Sequence, residues 1–284
     1  MTIKVILVPV TAAESGALKC AFALGRRFDA HVMAIHVRAD PRNAMPYMGE
    51  GMSGIVLQEI LAAAERDAVI RARNARALFD TAVAEGEIRV REHPSPGFST
   101  SWREEVGRED EIVAKLARLS DIIVVGSQGP QASAAVGLMM EAALLSSGRP
   151  VLVAPPGGVE SFGGRVAIAW NGSAEASRAV AAAMPFLEAA ESIFILVAGE
   201  GDEPSNAAAA LQQYLTWHGL SAETILLHPG HEGIGSALLT EAKSRSADLL
   251  VMGAYTHNRF RQMIFGGVTR HILTEAGLPV LTAH

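Results

Sequence analysis

Two periods of apolar residues alternate along this chain. Short runs rich in Val and Ile are separated by longer stretches in which apolar positions recur every three to four residues. That is the pattern of strands alternating with helices around a parallel sheet. The runs predict strands at Val5–Val10, His31–Val37, Ile88–Arg91, Ile122–Val125 and Val151–Val153. A second set follows at Val166–Trp170, Ile193–Val197, Ala222–Leu227, Leu249–Met252 and Val280–Thr282. Helical spacing is longest from Ser53 to about Ala84, where Val56, Ile60, Leu61, Val69, Leu78 and Val83 read as an extended packing face. The corresponding later stretch is shorter, Ser205 to Trp217.

The same pattern is written twice. "SDIIVVGSQG" (Ser120 to Gly129) resembles "ADLLVMGAYT" (Ala247 to Thr256), with Asp121 and Asp248 at matching distances before Gly126 and Gly253. "SSGRPVLVAPP" matches "EAGLPVLTAH", and "KVILVPVTAAES" echoes "RVAIAWNGSAEA". Three anchors in the same order define an internal repeat. Between the copies "PPGGVESFGG" has no period and reads as a linker. The expected organisation is a first unit over residues 1–155, a linker over 156–164 and a second unit over 165–284. The right-handed crossover rule then predicts an α/β fold. Its form is two tandem, separate five-stranded parallel open sheets of order 3-2-1-4-5, Rossmann-like, with helices on both faces.

Composition narrows the chemistry. At 284 residues, 49% apolar and 19% charged, the chain can bury two cores. A formal charge of −6 provides no basic field for nucleic acid. Arg66, Arg71, Arg73 and Arg76 alternate with Asp67 and Asp80 as a solvated helix face does. The only cysteine, Cys20, sits among apolar neighbours and reads as a buried thiol. The N-terminal run lacks a signal-peptide pattern and no 18 apolar residues run together. The expectation is a cytoplasmic protein with no membrane partner.

The glycines of the second copy point to a site. Ligands of open parallel sheets bind beyond the carboxyl ends of the strands, where the strand order reverses. Gly253 ends the fourth strand of that copy, where a positive φ and a close backbone approach would suit glycine. Gly266-Gly267-Val268-Thr269 then opens a helical pattern, and free N–H groups at a helix start favour an anion. Together they describe a phosphate cradle.

With these motifs quoted, the chain resembles tandem members of the universal stress protein family. Nucleotide-binding members of that family carry Gly-x-x-Gly, nine residues, then Gly-Ser/Thr, with an acidic residue upstream that reads adenine. Here Gly253-x-x-Thr256, nine residues from His257 to Phe265, and Gly266-Gly267 keep the spacing, with Asn171 at the acidic position. The resemblance implies ATP or another adenine nucleotide, with or without Mg. It implies a site of Trp170, Asn171, Ser173, Val197, Met252, Gly253, Tyr255, Thr256, Gly266, Gly267, Val268 and Thr269. Asn171 keeps an acceptor oxygen and adds a donor. Thr256 adds β-branched bulk where glycine stands in the family. Gly267 removes a hydroxyl that Thr269 could replace. The strands led by Pro150 and Pro279 are implied to be edges that meet a partner strand, copy to copy or in a homodimer.

The first copy departs further. The interval from Asp121 to Pro150 is two residues shorter than that from Asp248 to Pro279, Met139 stands where the second glycine is due, and Thr11 replaces the acidic residue. An empty first copy is the expectation. His228 and His231 form H-x-x-H, but Pro229-Gly230 forbids the helix a metal pair would use. Met45, Met48 and Met52 offer either an adaptable binding surface or a cover for a neighbouring core. No nucleophile elbow, Walker loop or paired carboxylates on one helix face occur, and no lysine lies between Lys243 and His284. The reading is a stress-response, nucleotide-binding regulatory module without strong catalysis. A ligand-free interaction protein and a slow nucleotide-handling enzyme are the alternatives.

Overall fold

The computed structural model describes residues 2–11, 15–41, 54–127, 134–199, 202–254 and 267–284. The first copy runs β1 (Val5–Pro9), α1 (Gly16–Phe28), β2 (His31–Arg38), α2 (Gly54–Glu85), β3 (Ser99–Val106), α3 (Glu109–Ala117), β4 (Ile122–Gly126), α4 (Ala134–Ser146) and β5 (Val151–Ala154). The second runs β6 (Arg165–Ala169), α5 (Ala174–Leu187), β7 (Ser192–Ala198), α6 (Asp202–Trp217), β8 (Glu223–Leu227), α7 (Gly233–Ser244), β9 (Leu249–Gly253), α8 (Gly267–Glu275) and β10 (Val280–Ala283).

The strands form one ten-stranded sheet, β3-β2-β1-β4-β5-β10-β9-β6-β7-β8. Each copy keeps the order 3-2-1-4-5 with parallel neighbours, but the two sheets expected to be separate are continuous. β5 and β10 pair antiparallel, Val151 with Thr282, Leu152 with Leu281 and Val153 with Val280. The physical reason is the edge. Both strands are buried along their whole length, and an unpaired row of N–H and C=O groups there would be costly.

A second correction concerns β3. Ile88–Arg91 was the expected third strand, yet Val90 makes only an isolated bridge to Thr100. The strand is Ser99–Val106, paired along its whole length with β2. As an edge strand it buries Ser99 and Thr100 and leaves Arg103 and Glu104 exposed, so its polar residues hide it from an apolar pattern. Serine spacing also serves His31, whose Nδ1 and Nε2 each lie 2.9 Å from the hydroxyls of Ser99 and Ser101. Burial lowers the pKa of that imidazole.

Helices cover both faces, as parallel strands require. One core joins α1, α2, α5 and α6 through Leu18, Phe79, Val180 and Leu211. The other joins α3, α4, α7 and α8 through Val113, Met140, Leu238 and Ile272. The extended face expected on α2 packs only in its later turns, through Ala68, Ala72, Ala75 and Phe79. Val56 and Ile60 are exposed because the helix runs on past the sheet it covers. The loop of Met45, Met48 and Met52 lies outside the described residues. Cys20 is buried, and Val159 N donates to its Sγ at 3.4 Å. Residues 155–164 are held in place: Arg27 donates to the carbonyls of Phe162 (2.7 Å) and Gly163 (3.2 Å), and Phe162 stacks on Phe186. Among the described residues no helix is long and apolar enough to cross a membrane.

Candidate functional site

β6 leads through α5 to β7 on one side, while its other neighbour, β9, leads through α8 to β10 on the opposite side. The connections diverge, so the ends of β6 and β9 lie where open parallel sheets bind ligands. Ala169, the last residue of β6, is in register with Met252. Four residues then turn the chain into α5. Asn171 Oδ1 accepts the Ser173 N–H at 3.1 Å. Gly172 takes a left-handed φ of 72° with open space around it. Ser173 caps α5, its Oγ accepting from Ala176 N at 3.1 Å. Glu175 in the first turn pairs with Arg178 at 2.8 Å.

Gly253 is required here for a reason other than the expected one. It does not adopt a positive φ. A Cβ on it would lie 2.5 Å from Ala176 N and 2.7 Å from Glu175 C, so the glycine lets the first turn of α5 rest on the end of β9. The described part of α8 runs from Gly267, which is exposed and has nothing within 4 Å of the place a Cβ would take. Val268 is half-buried and Thr269 is buried. His271 fastens this helix to α7, its Nε2 3.1 Å from Ser236 Oγ, with Gly235 making room for the ring. His284 Nδ1 lies 3.2 Å from the Ala254 carbonyl and closes the end of β9.

The expected residues therefore divide. Asn171, Ser173 and Gly253 gather at the ends of β6 and β9, and Gly267, Val268 and Thr269 lie in the first described turn of the helix that follows β9. Trp170 donates its indole N–H to Ala207 O at 3.0 Å and so packs toward α6. Val197 and Met252 are buried in the opposite cores. Tyr255, Thr256 and Gly266 lie outside the described residues. Glu175 and Arg178 were missed, although an acidic residue just inside a serine cap is a readable helix-start signal. The His271–Ser236 contact had no signal, because it joins two helices far apart in sequence. His228 and His231 are exposed, and among the described residues no group of three His, Cys, Asp or Glu could hold a metal.

At the equivalent place in the first copy, Ser127 N donates to Ala154 O as Ala254 N donates to Ala283 O. Met139, at the position where the second glycine was due, is buried within α4.

Comparison with known proteins bears on the second copy first. Residues 164–284 match the universal stress protein family. The match covers the second copy and not the first. A universal stress protein of Synechocystis sp. is 30% identical over 171 residues, spanning 57% of this chain and 57% of that relative. The chain thus matches little more than half the length of this curated relative. A universal stress protein of Archaeoglobus fulgidus superposes on 98% of this chain and 97% of its own, with a TM-score of 0.64 at 15% identity. The cytoplasmic domain of a prokaryotic cation chloride cotransporter covers 99% of this chain and 95% of its own, at 12% identity and a TM-score of 0.50. Fold alone thus leaves the role of a universal stress protein open, and the site has to carry it.

Proposed function

We propose that the second copy binds a nucleotide and that the chain works as a stress-response regulatory module in the cytoplasm. The carrying observation is the strand-order reversal at the ends of β6 and β9, where the capped start of α5 rests on Gly253 and the described part of α8 opens with an exposed Gly267. Free N–H groups at helix starts suit phosphate. In this reading the base lies toward Asn171, and ribose and phosphates run along Gly253 to Gly266 and Gly267. Adenine nucleotide, with or without Mg, is the first candidate because the glycine spacing resembles that of nucleotide-binding family members. The first copy stays empty, since Thr11 and Met139 replace the groups the reading needs.

Backbone donors hold ground-state and transition-state phosphate alike, so binding without strong catalysis is expected. Turnover approaching ~1 per second would move the protein into the enzyme class. The second reading, a ligand-free interaction protein, draws on the exposed Ile55 and Val56 of α2.

Calorimetric titration with ATP separates the two. The Gly267→Asp variant places a carboxylate at the start of α8, where a helix tolerates it but phosphate does not. A loss of at least about tenfold in affinity supports the site, corresponding to ~1.4 kcal/mol. Equal binding by both proteins rules the site out.

A further inference from the structure

We infer that Asn171 makes this site prefer purines bearing a 6-oxo group over those bearing a 6-amino group. The inference rests on the proposed nucleotide site and moves its base from adenine, the first candidate there, to hypoxanthine or guanine. An asparagine that reads adenine does so with both ends of its amide, Oδ1 accepting from the exocyclic amino group and Nδ2 donating to a ring nitrogen. Here Oδ1 already accepts the N–H of Ser173 at 3.1 Å. That bond also assigns the amide, because only oxygen can accept from a backbone N–H. That bond takes one of the two lone pairs of Oδ1 and leaves both Nδ2 protons, so the amide offers a ligand more donor than acceptor capacity.

The rest of the turn reinforces this. Ser173 Oγ accepts from Ala176 N, so its own hydroxyl hydrogen is what remains for a ligand. Gly172 contributes no side chain. Asn171 is exposed, so its amide is accessible without rearrangement. Each side-chain acceptor between β6 and α5 is thus engaged within the turn. A purine carbonyl facing the turn finds the free N–H groups of Asn171, whereas a purine amino group finds only the second lone pairs of oxygens already engaged. The same chemistry suits hypoxanthine and guanine. The two are separated by the N2 amino group of guanine, on which Asn171 places no demand.

The test compares ATP with inosine triphosphate, which differ at the base only in the 6-substituent and the proton it brings to N1. Calorimetric titration of the full chain should show inosine triphosphate binding roughly three- to tenfold more tightly, the range of one net hydrogen bond at an exposed site. The Asn171→Asp variant keeps an acceptor for Ser173 N and turns a second acceptor outward, so its preference should reverse toward ATP. The Asn171→Ala variant should lose discrimination, and circular dichroism checks that both variants are folded. Equal affinity, or a preference for ATP, in the unaltered protein overturns the inference while leaving the nucleotide site standing. Binding of neither nucleotide overturns the site and the inference together.

Discussion

Asp248 Oδ1 accepts the backbone N–H of Arg165 at 2.9 Å, at the point where the chain enters β6. The same carboxylate takes the N–H groups of Gly163 and Gly164 at 2.9 and 3.0 Å. In the first copy Asp121 Oδ2 does this for Lys4 and Val5, at 2.7 and 2.9 Å. The repeated aspartate therefore ties the start of the fourth strand to the start of the first in each copy, and its role is architectural.

Replacing Asp248 by alanine leaves three backbone donors without this acceptor at a half-buried site, and the expected loss is about 2–4 kcal/mol. Asp121→Ala, with two such bonds, should cost less. Urea unfolding of both variants measures the order, and a smaller loss for Asp248→Ala than for Asp121→Ala would contradict the account.

Gly253→Ala should be destabilising by about 1–3 kcal/mol, because the new methyl meets the backbone of Ala176 and overpacks the start of α5. Gly267→Ala meets open space, and its stability should stay within about 0.5 kcal/mol of the parent. Thermal unfolding distinguishes the two positions. Equal effects would show that α5 does not rest on Gly253 in solution.

His31 should make the protein less stable in mild acid. Burial holds its folded-state pKa below the ordinary imidazole value, so the unfolded chain binds the proton first. Its contribution is complete above about pH 6.5, the unfolded value, and is lost as pH falls toward the folded value. Unfolding free energies followed from neutral to mildly acidic pH should decline more steeply for the parent than for His31→Gln. Parallel curves would remove His31 from the acid response.

Residues 165–284 expressed alone should self-associate. Without the first copy, β10 loses its antiparallel partner and presents the buried Val280 and Leu281 at an open edge. Equilibrium sedimentation should report a dimer or larger species. A stable monomer at micromolar concentration would show that the seam is dispensable.

Much of the fold is legible in the chain. Nine of the ten strands stand where their apolar runs predict them, most of them parallel strands buried on both faces and apolar along their length. β3 was not, because an edge strand is apolar only in part and carries Arg103, Glu104 and Glu105. The candidate site was legible in its spacing and not in its geometry. Glycine at 253 is a fact of sequence, but the need for it comes from α5, whose approach no local pattern describes. Asn171 shows the same division. Its amide offers a donor and an acceptor on paper, and only the folded turn engages the acceptor with Ser173.

By itself the sequence determined the repeat, the alternation of strand and helix and the strand order within each copy, because these follow from periodicity and chain connectivity. Tertiary structure decided that the edges led by Pro150 and Pro279 pair copy to copy within one sheet, rather than in a homodimer or as two separate sheets. The pairing of β5 with β10 is a contact between strands more than a hundred residues apart, set by two buried edges that need partners, and neither edge carries a local mark naming the other.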